Sequence, residues 1–333
     1  MILSGIQPTS NLHLGNYLGA IRNWVQLSKG QQATPQNSLF CVVDLHAITV
    51  PQDPAKLRAA ILEAAAAYLA CGLDPQHNSV FVQSRVSGHA ELAWILGCQT
   101  PLGWLYRMTQ FKDKAGGERD NTGLGLLAYP ALMAADMLLY KATQVPVGED
   151  QKQHVELTRD IAGAFNHQFG QPLFPLPEPL ILGEAARVMS LRDGSRKMSK
   201  SDPSDQARIN LLDSAESISD KIKRAKTDPH PLPASVAELA DRPEARNLLT
   251  IYAAVQNTTL ADVLAEVGGS QFSSFKGKLT EAVVAHVTPI GQRMQQLLND
   301  TAYLRAVLHQ GAETANAIAE TTLAEVKGLV GLG

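Results

Sequence analysis

Short apolar runs and helix-spaced apolar positions alternate through the first half of the chain. Ile2-Leu3, Leu39 to Val43 and Val80 to Gln83 are too short for helices, and they read as strands buried on both faces. Between them Leu14, Leu18, Ile21 and Val25 recur at the spacing of one helix face. Asp53-Pro54 then offers an N-cap and a first-turn proline for a helix through Leu57, Ile61 and Tyr68 to Gly72. This rhythm predicts βαβ units, hence an α/β fold with a parallel sheet and crossover helices. Proline-rich Gln171 to Pro179 interrupts it as a linker or irregular crossing before strand-like Pro179 to Leu182. Beyond about Ser201 the pattern turns helical, over Asp213 to Ala225, Glu244 to Val255, Leu260 to Val267, Phe275 to Val287 and a long run from Pro289.

With 333 residues, 45% of them hydrophobic, the chain can bury one large core and a smaller one, which points to about two domains. The formal net charge of −3 excludes a global basic field, so any polyanion must be met locally. Lys197 and Lys200 form one basic segment, and Lys221, Lys223, Arg224 and Lys226 another; such runs are more often solvated helix faces than binding sites and prove little alone. Cys41, Cys71 and Cys98 are far apart in apolar stretches, as packing residues of a reducing compartment would be. The N-terminus lacks the n- and h-regions of a signal peptide and no run of about 18 apolar residues follows, so a cytoplasmic location is expected.

The first strand empties into Ser4-Gly5-Ile6-Gln7-Pro8-Thr9-Ser10, and His13-Leu14-Gly15-Asn16 opens the next helix. Ligands of open parallel sheets gather at the carboxyl ends of strands, where helix N-termini aim N–H groups at phosphate. Gly15 permits close approach of an adenine or ribose ring, and His13 and Asn16, three apart, share a face as phosphate donors. Far downstream, Asp193-Gly194 and Asp202-Pro203 flank Arg196-Lys197-Met198-Ser199-Lys200-Ser201, a loop able to fold two ammonium groups over a triphosphate. H-x-G-N after the first strand together with K-M-S-K-S in a later loop resembles the signature pair of the class I aminoacyl-tRNA synthetases. Asn16 stands where many of those enzymes have a second histidine, which removes a titratable group. In-line displacement at phosphorus tolerates that, because the substrate carboxylate is already the nucleophile.

Tyr129 to Tyr140 is apolar nearly all round as a helix, yet Asp136 lies within it. A carboxylate there needs a dedicated donor, from the protein or from a ligand. Tyr129, Met133 and Asp136 project from neighbouring turns of one face. The stretch resembles the tryptophan-binding helix of the tryptophanyl-tRNA synthetases, in which the aspartate takes the indole N–H. The resemblance extends to Gly148-Glu149-Asp150-Gln151. It implies ATP contacts for Gly148, Glu149 and Asp150, which otherwise read as first-turn acids of a helix, and an ammonium contact for Gln151. It further implies Gln110 beside tryptophan, Lys114 on phosphate, and Val188 on adenine. Gln7, Pro8 and Thr9 would cradle ATP, joined by Met198, Ser199 and Ser201. Gly5 and His46 belong to the amino-acid pocket on the same reading, although His46 alone reads equally as a core histidine.

The implied architecture is a Rossmann-like catalytic domain (1–190), the signature loop with a mainly helical anticodon-binding domain (191–290), and C-terminal helices packing back on the catalytic domain (291–333). The implied reaction is tryptophan activation by MgATP and transfer to tRNA(Trp), in a homodimer without a membrane. Magnesium would ride on the triphosphate with no tightly bound cofactor. Three rivals remain: a tyrosyl-tRNA synthetase, a small nucleotidylyltransferase sharing only the first motif, and a silent paralogue that binds tryptophan or RNA.

Overall fold

The computed structural model describes residues 1–8, 11–30, 33–108, 123–148, 151–180 and 187–332. The early apolar runs become β1 (Ile2–Ile6), β2 (Ser38–Val42) and β3 (Ser79–Val82). The first crossover starts as α1 (Leu14–Asn16), passes through a π-helical turn (Tyr17–Ile21) and continues as α2 (Arg22–Gly30). The second contains α3 (Asp44–Ala47) and α4 (Pro54–Ala70). Asp53 caps α4 as the pattern predicts, its carboxylate accepting the Lys56 N–H at 2.8 Å. After β3 come α5 (Gly88–Gln99), α6 (Leu102–Leu105) and α7 (Leu124–Leu138), then β4 (Gln144–Pro146), α8 (Lys152–Phe169) and β5 (Glu178–Leu180).

The strands form one sheet in the order β3-β2-β1-β4-β5, with every pairing parallel. The chain reverses its direction of winding at β1, and in such a Rossmann-like sheet the ligand crevice lies outside the carboxyl ends of the strands beside that point. Alternate strand residues enter two cores. Ile2, Phe40, Val42, Val80 and Val82 pack with Leu14, Leu18, Ile21 and Tyr68, while Leu3, Leu39, Cys41 and Phe81 pack with Leu92, Leu96, Leu138 and Ile161. Both faces are therefore covered, as continuous apolar strands require.

The second half contains α9 (Ala215–Arg224), α10 (Pro243–Gln256), α11 (Leu260–Val267), α12 (Phe272–Asn299) and α13 (Thr301–Val330). α13 lies along the edge strand β3, with Leu304 and Leu308 in the first core and Ala312, Ala315 and Ala319 in the second. Gly311 lies between these groups, and a Cβ there would sit 2.1 Å from the Val80 carbonyl oxygen. Glycine thus lets a helix backbone press directly on the edge strand and shield it. No helix among the described residues is long and apolar enough to cross a membrane.

Several expectations change. Pro289, read as the start of a new run, lies inside α12. The missing N–H deprives the Ala285 carbonyl of its helical donor, and Ala285 is exposed, where solvent can satisfy it. The strand expected from Pro179 starts at Glu178; residues 181 and 182 lie outside the described set. α8 starts at Lys152 with no acidic residue in its first turn, so Glu149 and Asp150 precede the helix and lie outside the described residues. The second basic segment is not one solvated face. Lys221 is buried and bonded to Asp205 and Asp213 at 2.6 Å each, and Lys226 pairs with Glu244 at 2.7 Å. Of the three free cysteines Cys41 packs in the interior, whereas Cys98 is exposed and is no packing residue.

Candidate functional site

β1 delivers Gly5 to the carboxyl edge of the sheet, where a Cβ would lie 2.5 Å from the Cys41 carbonyl oxygen of β2. Gln7 and buried Pro8 follow; Thr9 lies outside the described residues. His13 caps the start of α1, with Asn16 Oδ1 accepting the His13 backbone N–H at 3.2 Å. This turn is held from below by Glu63 of α4, whose carboxylate accepts the Asn11 N–H at 2.9 Å.

The two signature segments meet. Leu14 N–H donates to the Ile209 carbonyl at 2.8 Å, His13 bridges Asn210, and Gly15 faces His13 and the Cβ of Met198. Met198 is buried and its N–H bonds the Val188 carbonyl at 3.1 Å, while Lys197 pairs with Met189 in an antiparallel bridge. Val188 is thereby buried at the base of the lysine loop. Ser199 and Ser201 share a hydroxyl hydrogen bond at 2.8 Å. Buried Asn247 of α10 clasps the same hairpin, accepting the Met189 N–H at 2.8 Å and donating to the Met189 carbonyl at 3.0 Å. Gly194 touches the start of α10 so closely that a Cβ would lie 2.5 Å from Pro243. The lysine loop is thus seated on the helical half of the chain.

The electrostatics around His13 are those of an anion site. Burial, followed by the positive charges of Lys200, Arg208 and Lys197, lowers His13 to about 3, so its imidazole is neutral in the working range. Its Nδ1 is buried without a hydrogen-bond partner among the described residues. Lys200 is lowered to about 8 by burial, against the opposing carboxylate of Glu63. An anion seated here would face the positive charges of Lys200, Arg208 and Lys197.

The second constellation forms where β2, β3 and α7 converge. Asp136 is 9% exposed and is bonded by three side chains from other elements. His46 Nε2 of α3 lies 2.7 Å from Oδ2, while Gln83 Nε2 and His89 Nδ1 lie 2.7 and 2.6 Å from Oδ1. Burial pushes the Asp136 carboxyl up, but His46, by charge and hydrogen bond, and His89 outweigh it and hold it at about 2. Of about four acceptor directions on a carboxylate these donors fill three, leaving one on Oδ2. Tyr129 packs edge-on to His46 at 6.1 Å between centroids and shares a hydrogen bond with His154 Nε2 at 2.8 Å. Burial raises Tyr129 to about 12, so its phenol stays protonated. Met133 is partly buried beside the same core, as are Val43 and Val147. Gly148 is exposed beyond β4, and its carbonyl accepts the N–H of exposed Gln151 at 2.9 Å. Gln110, Lys114, Glu149 and Asp150 lie outside the described residues.

Gln83, His89, Tyr140, His154, Arg208 and Asn247 were not singled out from sequence. Gln83 carried one usable signal, a polar residue ending an apolar strand at the carboxyl edge. His89 and Asp136 are 47 residues apart, with no local pattern to join them.

A family model described as tRNA synthetases class I (W and Y) matches residues 1–288. A tryptophan–tRNA ligase of Brucella melitensis is 53% identical over 350 residues, covering 99% of this chain and 97% of the relative. One from Caulobacter vibrioides is 56% identical over 331 residues, covering 99% and 95%. Among solved structures, the tryptophanyl-tRNA synthetase of Mycoplasma pneumoniae superposes with TM-score 0.88 at 35% identity, over 100% of this chain and 97% of that one. The Campylobacter jejuni tryptophanyl-tRNA synthetase complexed with ADP and tryptophan gives 0.81 at 34%, over 99% of each.

Proposed function

The chain belongs to the class I tRNA synthetases that serve tryptophan and tyrosine, and on that premise we infer that it activates L-tryptophan with ATP and passes it to tRNA(Trp). The observation that carries the choice of amino acid is Asp136, an ionised carboxylate buried among hydrocarbon with one acceptor direction left. Indole offers one donor and no acceptor, which matches that vacancy. A tyrosine side chain ends in a hydroxyl that both donates and accepts, and it would leave the acceptor half of that group facing more anionic oxygen.

In this reading the tryptophan carboxylate attacks the α-phosphorus of ATP in line, forming tryptophanyl-adenylate and expelling pyrophosphate. Lys197 and Lys200 neutralise the leaving pyrophosphate, and neutral His13 and Asn16 orient phosphate oxygens. Gln7, Pro8 and Thr9 cradle the nucleotide and Gly15 admits it, with Val188, Met198, Ser199 and Ser201 at the loop base. Gly148, Glu149 and Asp150 border the adenosine, and Lys114 is a further phosphate ligand. To this positive charge the triphosphate brings its own Mg²⁺. Tyr129, Met133, His46, Gln110 and Gly5 enclose the indole, and Gln151 takes the ammonium. The terminal ribose hydroxyl of the tRNA then attacks the acyl carbon and releases AMP.

We assign 1–190 to catalysis, 191–290 to the loop and anticodon reading, and 291–333 to support of the catalytic domain. The enzyme acts in the cytoplasm as a homodimer. Trp94, Leu102, Tyr106 and Leu124 support the dimer: they are exposed on or beside α5, α6 and α7, which pack together. Such an apolar patch fits an interface between subunits.

Amino-acid-dependent exchange of pyrophosphate into ATP, run with each of the twenty amino acids, tests the assignment. Exchange with tryptophan alone is expected. Exchange with tyrosine alone, or with none, would overturn it.

A further inference from the structure

We propose that His89, backed by Tyr140, is the positioning residue that aims the Asp136 carboxylate at the indole N–H. The proposal rests on the assignment of Asp136 to tryptophan and adds what sets its geometry.

His89 is completely buried near the start of α5, and its ring joins two groups that are both on or just beyond α7. Nδ1 lies 2.6 Å from Asp136 Oδ1, and Nε2 lies 2.8 Å from Tyr140 Oη. Among the described residues His89 is the hydrogen-bond partner of that hydroxyl. Were the ring to donate from Nε2, the phenol O–H would be left buried and unsatisfied, at a cost of about 1–3 kcal/mol. Tyr140 therefore donates to Nε2, and burial pushes the phenol far above its usual range, so it retains its proton. The ring proton is left on Nδ1, directed at Asp136.

That bond does more than add a donor. Oδ1 accepts from both His89 and Gln83, and Gln83 is itself fixed because its Oε1 takes the Leu45 N–H at 3.1 Å. With Oδ1 saturated and held from two elements, the carboxylate cannot turn about its Cβ–Cγ bond. Oδ2 then presents its remaining acceptor direction in one orientation, beside the donor from His46. The imidazole plane is held by Phe81, stacked at 6.0 Å and 29°. Gly88 allows the approach of α5 to α7, since a Cβ there would already stand 3.3 Å from Leu139. Removing the His89 bond would free Oδ1 to compete for the substrate and loosen the aim of Oδ2.

The test compares tryptophan with β-(3-benzothienyl)alanine, an isostere carrying sulfur in place of the indole N–H, in pyrophosphate exchange. The native enzyme should strongly prefer tryptophan. In His89→Leu the ratio of kcat/KM for tryptophan over the analogue should fall by about tenfold or more, the fold-change of one lost charge-assisted hydrogen bond. Tyr140→Phe, which removes a single oxygen, should lower the ratio in the same direction by about threefold, through a weakened rather than a lost bond. Both effects should appear in the KM for tryptophan with the KM for ATP unchanged. His89→Asn, whose amide can replace the Nδ1 donor, should recover most of the ratio. An unchanged ratio in His89→Leu and Tyr140→Phe overturns the proposal, and should His89→Leu fail to fold, Tyr140→Phe decides alone. Asp136→Asn separates the two levels. If it collapses the ratio while the other variants keep it, only the role of His89 is lost; if it too leaves the ratio unchanged, the assignment of Asp136 falls.

Discussion

A carboxylate survives as an anion among hydrocarbon only where donors replace its water, and Asp136 has them from α3, the end of β3, and α5. Asp136→Ala removes the indole acceptor and strands these donors together. Loss of a hydrogen bond to a charged group, about 3 kcal/mol, predicts a drop in kcat/KM for tryptophan of about 100-fold or more. The KM for ATP should stay within about twofold, because the nucleotide is met by other residues; steady-state exchange kinetics give both numbers. Lys200 sets a pH dependence. Its pKa is lowered to about 8, so the ammonium is present below that value and lost above it. kcat/KM for ATP, which reports the free enzyme, should therefore decline as pH rises through about 8. Lys200→Arg keeps its charge and should abolish that decline. His13, held near 3, should add no limb between about pH 5 and 8.

At the scale of elements, glycines determine which backbones can touch. Gly311 presses α13 onto β3, and Gly194 presses the lysine hairpin onto α10. Gly311→Val would force its side chain into the Val80 carbonyl, so the helix must shift from the strand it shields. Overpacking of this kind costs about 1–3 kcal/mol, and urea unfolding should show a matching loss. Gly311 meets Val80 rather than a residue assigned to the site, so specific activity at low temperature should be largely retained. The hairpin has a functional side. Through Asn247 and Gly194 it is joined to α10, while Met198 faces Gly15 of α1, so this short loop is one of the links between the helical half and the proposed nucleotide site, beside the Leu14–Ile209 and Leu211–Leu12 backbone bonds.

For the molecule as a whole, the apolar patch of Trp94, Leu102 and Leu124 predicts assembly. Trp94→Glu combined with Leu102→Glu should convert the proposed homodimer to a monomer in light scattering, and a native enzyme already monomeric would refute that proposal. The parallel sheet was legible in the chain because strands covered on both faces must be continuously apolar, as Leu39 to Val43 is. The two segments of the proposed nucleotide site, which the structure brings together, were legible because they are short motifs: H-x-G-N needs a strand end and a helix start, and K-M-S-K-S needs only turn formers around two lysines. The helix proposed to meet tryptophan, α7, showed itself through one charge in an apolar stretch. Pro289 misled, because a proline signals a helix boundary, whereas the helix continues past it where Ala285, four residues earlier, is exposed and its carbonyl is open to water. Lys221 misled as well, because lysine reads as surface until Asp205 and Asp213 are known to surround it. Sequence by itself determined the family and the motifs from which the site is proposed, since residue type and local spacing are written along one dimension. Only the tertiary structure decided which groups would hold them. Gln83, His89 and Tyr140 reach Asp136 across packed elements, and a hydrogen bond depends on distance in space.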